Sequence, residues 1–296
     1  MGKILVGVDG SANSAAALRW ALAEADLRHH RVTALFAWGY IPPGHAGEGR
    51  TFDADYGPAD ADAALAAAIE AAVGAEVAGD VERRVVCDLA PKSLLTVAGG
   101  ADLLVVGARG VGGFRGLLLG SVSQQCLHHT TGPLAIIRSP GSPDATAQAD
   151  AAPRQGAGGR IVVGVDDSDG ARRALRWALE EGRLRHAGVD VVHAWQPPYF
   201  VPSPFAGMPI DPEIVEKHAR AVLEGRVDGE GTRHQPEPVE RILVRGAAAP
   251  AILGTAPGAD LVVLGSRGLG GFKGLVLGSV THHVAHHIRC PLVVIR

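Results

Sequence analysis

Short apolar runs alternate with longer amphipathic stretches along the chain. In the first half, residues 4–8, 32–38, 82–87, 103–106 and 134–138 are β-branched and nearly continuous in apolar character, as parallel strands covered on both faces are. Between them, residues 14–28, 59–78, 92–99 and 120–130 read as helices. Pro91 suits the first turn of the third helix, and Pro133 follows the fourth and admits the last strand. The alternation predicts a doubly wound, five-stranded parallel sheet sandwiched between helices, an α/β fold.

The same pattern then repeats. Ile4-Leu5-Val6-Gly7-Val8-Asp9 returns as Ile161-Val162-Val163-Gly164-Val165-Asp166, 157 residues later (166 − 9). Trp20 and Trp38 return as Trp177 and Trp195, which accounts for all four tryptophans. Ala101-Asp102-Leu103-Leu104-Val105-Val106-Gly107 returns as Ala259-Asp260-Leu261-Val262-Val263-Leu264-Gly265, now 158 residues later (265 − 107). So long a period indicates a duplicated domain. The expected division is a first domain over 1–138, a linker over 139–158 and a second domain over 159–296. The linker is rich in Ser, Pro, Ala, Gly and Gln, which predicts a flexible coil with a reach of about 25 Å.

Composition narrows the function classes. A hydrophobic share of 47% and a charged share of 20% suit a globular protein, and a formal net charge of −3 gives no electrostatic case for a nucleic-acid partner. There is no signal-peptide pattern and no apolar run of membrane-spanning length, so the expected location is cytoplasmic, without a membrane partner. Cys87, Cys126 and Cys290 lack metal-ligand spacing and read as reduced thiols.

The strongest chemical signal follows the fourth strand of each copy. Gly107-Ala108-Arg109-Gly110-Val111-Gly112-Gly113 leads on to Gly120-Ser121-Val122-Ser123, and Gly265-Ser266-Arg267-Gly268-Leu269-Gly270-Gly271 leads on to Gly278-Ser279-Val280-Thr281. Both copies read G-x2-G-x9-G-S, with a helix beginning at the last glycine. A loop leaving the carboxyl end of a parallel strand faces the crevice in which open α/β sheets bind ligands. Glycines let its backbone approach an anion, and a helix N-terminus offers free N–H groups and a positive dipole end. The hydroxyls of Ser121, Ser123, Ser279 and Thr281 can cap the helix or meet a phosphate oxygen. Arg109 and Arg267 add charge, with Arg115 and Lys273 as weaker candidates. No Walker lysine motif and no dinucleotide-binding G-x-G-x-x-G occurs.

Asp9 and Asp166 end the first strand of each copy, where a carboxylate can meet ribose, adenine or a phosphate-bound Mg²⁺. It could instead cap the next helix, a task open also to Ser11, Ser14 and Asp167. Asp102 and Asp260 open the fourth strand at its far end and read as turn-capping residues. His282, His283, His286 and His287 have i, i+4 spacing, but only half the array is shared with Gln124, Gln125, His128 and His129. They read as a polar helix face, and no metal site is expected.

Together the Gly-Val-Asp-Gly-Ser start, the Ala-Asp-Leu-Leu-Val-Val-Gly-Ala-Arg-Gly segment and G-x2-G-x9-G-S resemble the ATP-binding universal stress proteins, in a tandem arrangement over about 2–138 and 159–296. The resemblance implies an adenine nucleotide α-hydrolase-like fold with strand order 3-2-1-4-5. It implies ATP with Mg²⁺, bound in each copy near Gly7, Val8 and Asp9 or Gly164, Val165 and Asp166, with adenine near Ala37 or Ala194. It also implies pairing through the fifth strand, between the halves and in a homodimer. The expected function is that of a nucleotide-dependent stress or growth regulator, with an unknown protein partner and no catalytic residues. The alternatives are a slow ATPase or nucleotide-dependent transferase, and a structural dimerisation module with vestigial sites. Copy two departs in having Asp167 for Gly10 and Gly246 for Asp88, so the two sites need not be equal in affinity.

Overall fold

A computed structural model describes residues 1–39, 56–111, 118–139, 159–197, 211–232, 235–269 and 276–296. The chain divides into two compact units, Met1–Pro153 and Arg154–Arg296, and the division falls within the expected linker. Of that linker, only Ser139 lies among the described residues; its N–H donates to Asn13 Oδ1 at 2.8 Å.

In the first unit β1 (Lys3–Gly7), α1 (Ala12–Arg28), β2 (Arg31–Trp38), α2 (Pro58–Val73), α3 (Ala75–Ala78), β3 (Glu82–Cys87), α4 (Ala90–Ala98), β4 (Leu103–Gly107), α5 (Ser121–His129) and β5 (Leu134–Ile137) follow in order. All four strand pairings are parallel and give the order β3-β2-β1-β4-β5. The second unit runs β6 (Gly159–Gly164), α6 (Asp169–Arg185), β7 (Ala187–Trp195), α7 (Pro212–Gly229), β8 (Val239–Arg245), α8 (Ala248–Thr255), β9 (Leu261–Gly265), α9 (Ser279–His287) and β10 (Leu292–Ile295). Its order is β8-β7-β6-β9-β10, again wholly parallel, so both units have the expected 3-2-1-4-5 topology.

The strands fall within a few residues of the apolar runs that predict them. One helix differs: the alanine-rich stretch 59–78 breaks at Gly74, whose φ of 82° is a left-handed conformation that a continuous helix cannot contain. The central strands form the core. Ile4, Leu5, Val6 and their counterparts Ile161, Val162 and Val163 are fully buried, each worth about 1.5–3 kcal/mol of transfer free energy. α1 and α6 lie against the sheet and carry a matched pair of buried carboxylates, Glu24 and Glu181, bound one turn later by Arg28 and Arg185. Pairing in this way avoids the large cost of an isolated buried charge. Among the described residues no helix is long and apolar enough to cross a membrane.

Candidate functional site

At the carboxyl edge of each sheet, three segments meet: the turn after β1 or β6, the glycine loop after β4 or β9, and the N-terminus of α5 or α9. The ambiguity over helix capping resolves here. Ser11 caps α1, its Oγ accepting the Ser14 N–H at 3.1 Å, and Ser168 caps α6 by accepting the Ala171 N–H at 3.1 Å. Asp9 and Asp166 are thereby released from that task. Asp9 Oδ1 accepts the Ser11 N–H at 3.0 Å, while Oδ2 accepts the Val111 N–H at 3.1 Å across 102 residues of chain. Asp166 repeats this with Ser168 at 3.0 Å and Leu269 at 2.8 Å, and also accepts the Ser168 hydroxyl.

Each motif glycine has an identifiable neighbour. A Cβ on Gly107 would stand 2.7 Å from the backbone carbon of Asn13, and one on Gly265 would stand 2.7 Å from that of Gly170. These glycines let the first turn of α1 or α6 lie against the strand end. On Gly110 or Gly268 a Cβ would collide with the carboxylate of Asp9 or Asp166. On Gly120 it would press on Ala108 O and Arg109 Cα, both at 3.3 Å. The glycine spacing therefore reflects the internal geometry of the loop.

α5 and α9 begin on glycines, Gly120 and Gly278, which supply no side-chain cap. By helix geometry the first-turn N–H groups, on Ser121, Val122 and Ser123 or on Ser279, Val280 and Thr281, have no intrahelical acceptor. No acidic residue occupies either first turn. This end of the helix presents donors without intrahelical partners and the positive end of the dipole, the arrangement that anions favour. Ser121 and Ser279 are exposed beside it. Ser123 and Thr281 face inward instead: their buried hydroxyls donate to Gly107 O at 2.6 Å and Gly265 O at 2.7 Å, bracing helix to strand.

Other expected site residues have largely backbone roles. The N–H of Val8 and of Val165 is bonded to the second strand of its unit at 2.9 Å, and both side chains are buried. Ala108 and Ser266 are likewise buried and donate to Ile137 O at 2.6 Å and Ile295 O at 2.7 Å. Gly7 and Gly164 end their strands beneath Leu94 and Ile252, and Ala37 and Ala194 lie one residue before the ends of theirs. Arg109 is half-buried and Arg267 exposed. Gly112, Gly113, Arg115, Gly270, Gly271 and Lys273 lie outside the described residues. Asp102 and Asp260 accept the N–H groups of Lys3 and Arg160, each at 2.8 Å, and tie the opposite edge of the sheet.

Two arginines were missed by the sequence reading. Arg138, just after β5, donates to Leu118 O at 2.7 Å, and Arg296 donates to Val276 O at 2.8 Å. Each pins the far end of its glycine loop and brings a second cation to it. Burial first, and then the nearby Arg267 guanidinium, lower the pKa of Arg296 from the usual arginine range. The signal was available, since both copies end their last strand with arginine at the matched position.

The histidine helix α9 holds His282 and His286 with ring centroids 4.6 Å apart, and His283 and His287 at 4.3 Å. His287 Nδ1 lies 2.8 Å from His283 O and, facing a carbonyl, must be the donor. Among the described residues no group of three or more His, Cys, Asp or Glu side chains is placed to hold a metal ion.

Comparison with known proteins agrees with this architecture. Residues 1–138 and 159–296 each match the model of the universal stress protein family. A universal stress protein of Mycolicibacterium smegmatis is 31% identical over 303 residues, covering 99% of this chain and 96% of its own. The crystal structure of a universal stress protein from Archaeoglobus fulgidus covers 100% of this chain and 96% of its own, with a TM-score of 0.63 at 21% identity. A shorter protein of that family and organism, solved in complex with dAMP, is 29% identical over 47% of this chain and 98% of its own, with a TM-score of 0.35. The chain belongs to the universal stress protein family and carries one family domain in each half.

Proposed function

We propose that each unit binds ATP and that the protein acts as a nucleotide-dependent regulator in the response to stress or growth state. The observation that carries this reading is the uncapped, glycine-started helix N-terminus of α5 and α9, at the carboxyl edge of the sheet and beside a loop flanked by two arginines. The exposed Ser121 and Ser279 hydroxyls and the first-turn N–H groups would take the phosphates. The ribose and base would extend toward Asp9 and Ala37, or Asp166 and Ala194. Both oxygens of each aspartate already accept a backbone N–H, so an accompanying Mg²⁺ is assigned chiefly to the phosphates, whose charge it would neutralise.

Equilibrium dialysis of the full chain against Mg-ATP should give two nucleotides per chain, with negligible phosphate release over hours. Tens of turnovers per second would establish an ATPase instead. No binding, with an unchanged melting temperature at millimolar Mg-ATP, would leave a structural module.

A further inference from the structure

We infer that Asp9 and Asp166 are latches: each carboxylate holds its own glycine loop in shape through the amide of Val111 or Leu269, as a positioning residue. The inference that this arrangement serves phosphate binding rests on the proposed ATP site; the latch itself does not.

Four observations carry it. Each carboxylate already spends both oxygens on backbone N–H groups, one from the turn after the first strand and one from the glycine loop, at 2.8–3.1 Å. Helix capping, the ordinary task of an aspartate at this place, belongs to Ser11 and Ser168. The second motif glycine, Gly110 or Gly268, is the residue whose Cβ would collide with that carboxylate, so glycine is what lets the latch close. The surroundings differ between units, with Gly10 against Asp167 and Val111 against Leu269, yet the pair of bonds is the same. A bare carboxylate beside a polyphosphate would also repel it. Charge-assisted bonds to two amides offset that repulsion and turn the carboxylate to holding the loop.

Amide hydrogen exchange on the ligand-free full chain tests this directly. Asp9→Ala should speed exchange at Val111 roughly ten- to a hundredfold, the loss expected for a bond to a charged acceptor, while β4 keeps its protection. Gly110→Ala should produce the same gain by displacing the carboxylate, and the double variant should gain no more than either single one. Asp9→Asn, which retains one acceptor oxygen, should recover part of the protection and carries the test if the alanine variant does not fold. Asp166→Ala and Gly268→Ala should repeat the pattern at Leu269. Unchanged exchange at Val111 in both single variants, or gains that multiply in the double, would overturn the latch whether or not the protein binds ATP.

If the wild type binds ATP, the aspartate's mode of action can be read from a ligand series. Acting through the loop, Asp9→Ala should weaken ATP at least about tenfold more than adenosine, one charge-assisted bond's worth. Equal weakening of the two would mean direct contact with ribose or base and overturn the positioning role.

Discussion

The two units share a backbone plan at the carboxyl edge and differ in the side chains around it. Strand order, the aspartate bonds, the serine caps, the glycine helix starts and the arginine after the last strand are all duplicated. In unit one Gly10 stands free at φ 78°; its counterpart Asp167 is ion-paired to Arg226 of α7, which also donates to the Asp167 carbonyl at 2.9 Å. Unit one has Asp88 paired with Lys92 at 2.7 Å, where unit two has Gly246 at φ 147° beside Arg245, whose guanidinium lies 5.8 Å from the Trp195 ring. Unit one has Phe36 where unit two has His193, whose Nδ1 donates to Val165 O at 2.8 Å. Two halves that differ around a loop of the same glycine spacing and the same aspartate bonds place the common requirement in those features and any division of labour in the rim.

The largest effect should come from breaking one loop and leaving the other whole. Gly107→Val forces a branched side chain into a space where even a Cβ would meet the α1 backbone at 2.7 Å, and Gly265→Val does the same against α6. Backbone cannot yield as a flexible side chain can, so a cost of about 1–3 kcal/mol or more is expected in the affected unit. ATP stoichiometry should fall from two to one in each variant, with the sheet of the other unit intact by hydrogen exchange. Retention of both sites in either variant would remove the glycine loop from the binding site.

Much of this was legible before any coordinates. The strand runs, the duplication and the glycine spacing follow from local pattern, and the resemblance supplied the strand order. The reasons for the glycines did not, because Gly107 answers to Asn13 and Gly110 to Asp9, contacts that no local pattern encodes. For Asp9, the sequence left capping and ligand roles open; Ser11 as the cap and the bond to Val111, 102 residues away, decide its surroundings. Ser123 and Thr281 share a motif with Ser121 and Ser279 but lie on the inward side of the helix, a distinction that depends on how the helix packs. The break at Gly74 was missed because glycine within an alanine-rich helix is a tolerated residue as often as a terminator.

A smaller effect should separate the two rims. The Arg226 side chain is 14% exposed and that of Asp167 is 62% exposed, so their pair is worth no more than about 1 kcal/mol. Its influence on a nearby anion should be clearer than its influence on stability. Arg226→Ala leaves the negative charge of Asp167 unneutralised, and binding of Mg-ATP to unit two should weaken by about two- to fivefold at low salt. Asp167→Gly imports the unit-one residue and frees the arginine, so it should tighten binding by a similar factor. Titration calorimetry in a Gly107→Val background isolates the second site. Shifts of the same sign in both variants would show that the pair acts through backbone shape instead of charge.

The smallest expected effect concerns the acid limb of unit one. The Lys92 ammonium first, and then the Leu89 N–H, hold the Asp88 carboxyl below its ordinary value. A carboxyl depressed by folding adds stability above its unfolded pKa, about 3.9, and loses that contribution as the pH falls through the folded value. Asp88 is half-buried but its partner Lys92 is exposed, so salt and solvent screen the pair and the contribution should be slight. Denaturant midpoints of the wild type and Asp88→Asn should therefore differ a little at pH 6 and converge once the pH is well below that of an ordinary carboxylate. Unit two has Gly246 at this place, so the acid response of its strands, followed by hydrogen exchange, should be untouched by the substitution. No gap at pH 6 would mean that Asp88 acts through its bond to the Leu89 N–H at the start of α4, which an amide oxygen can also accept, and not through the ion pair that unit two lacks.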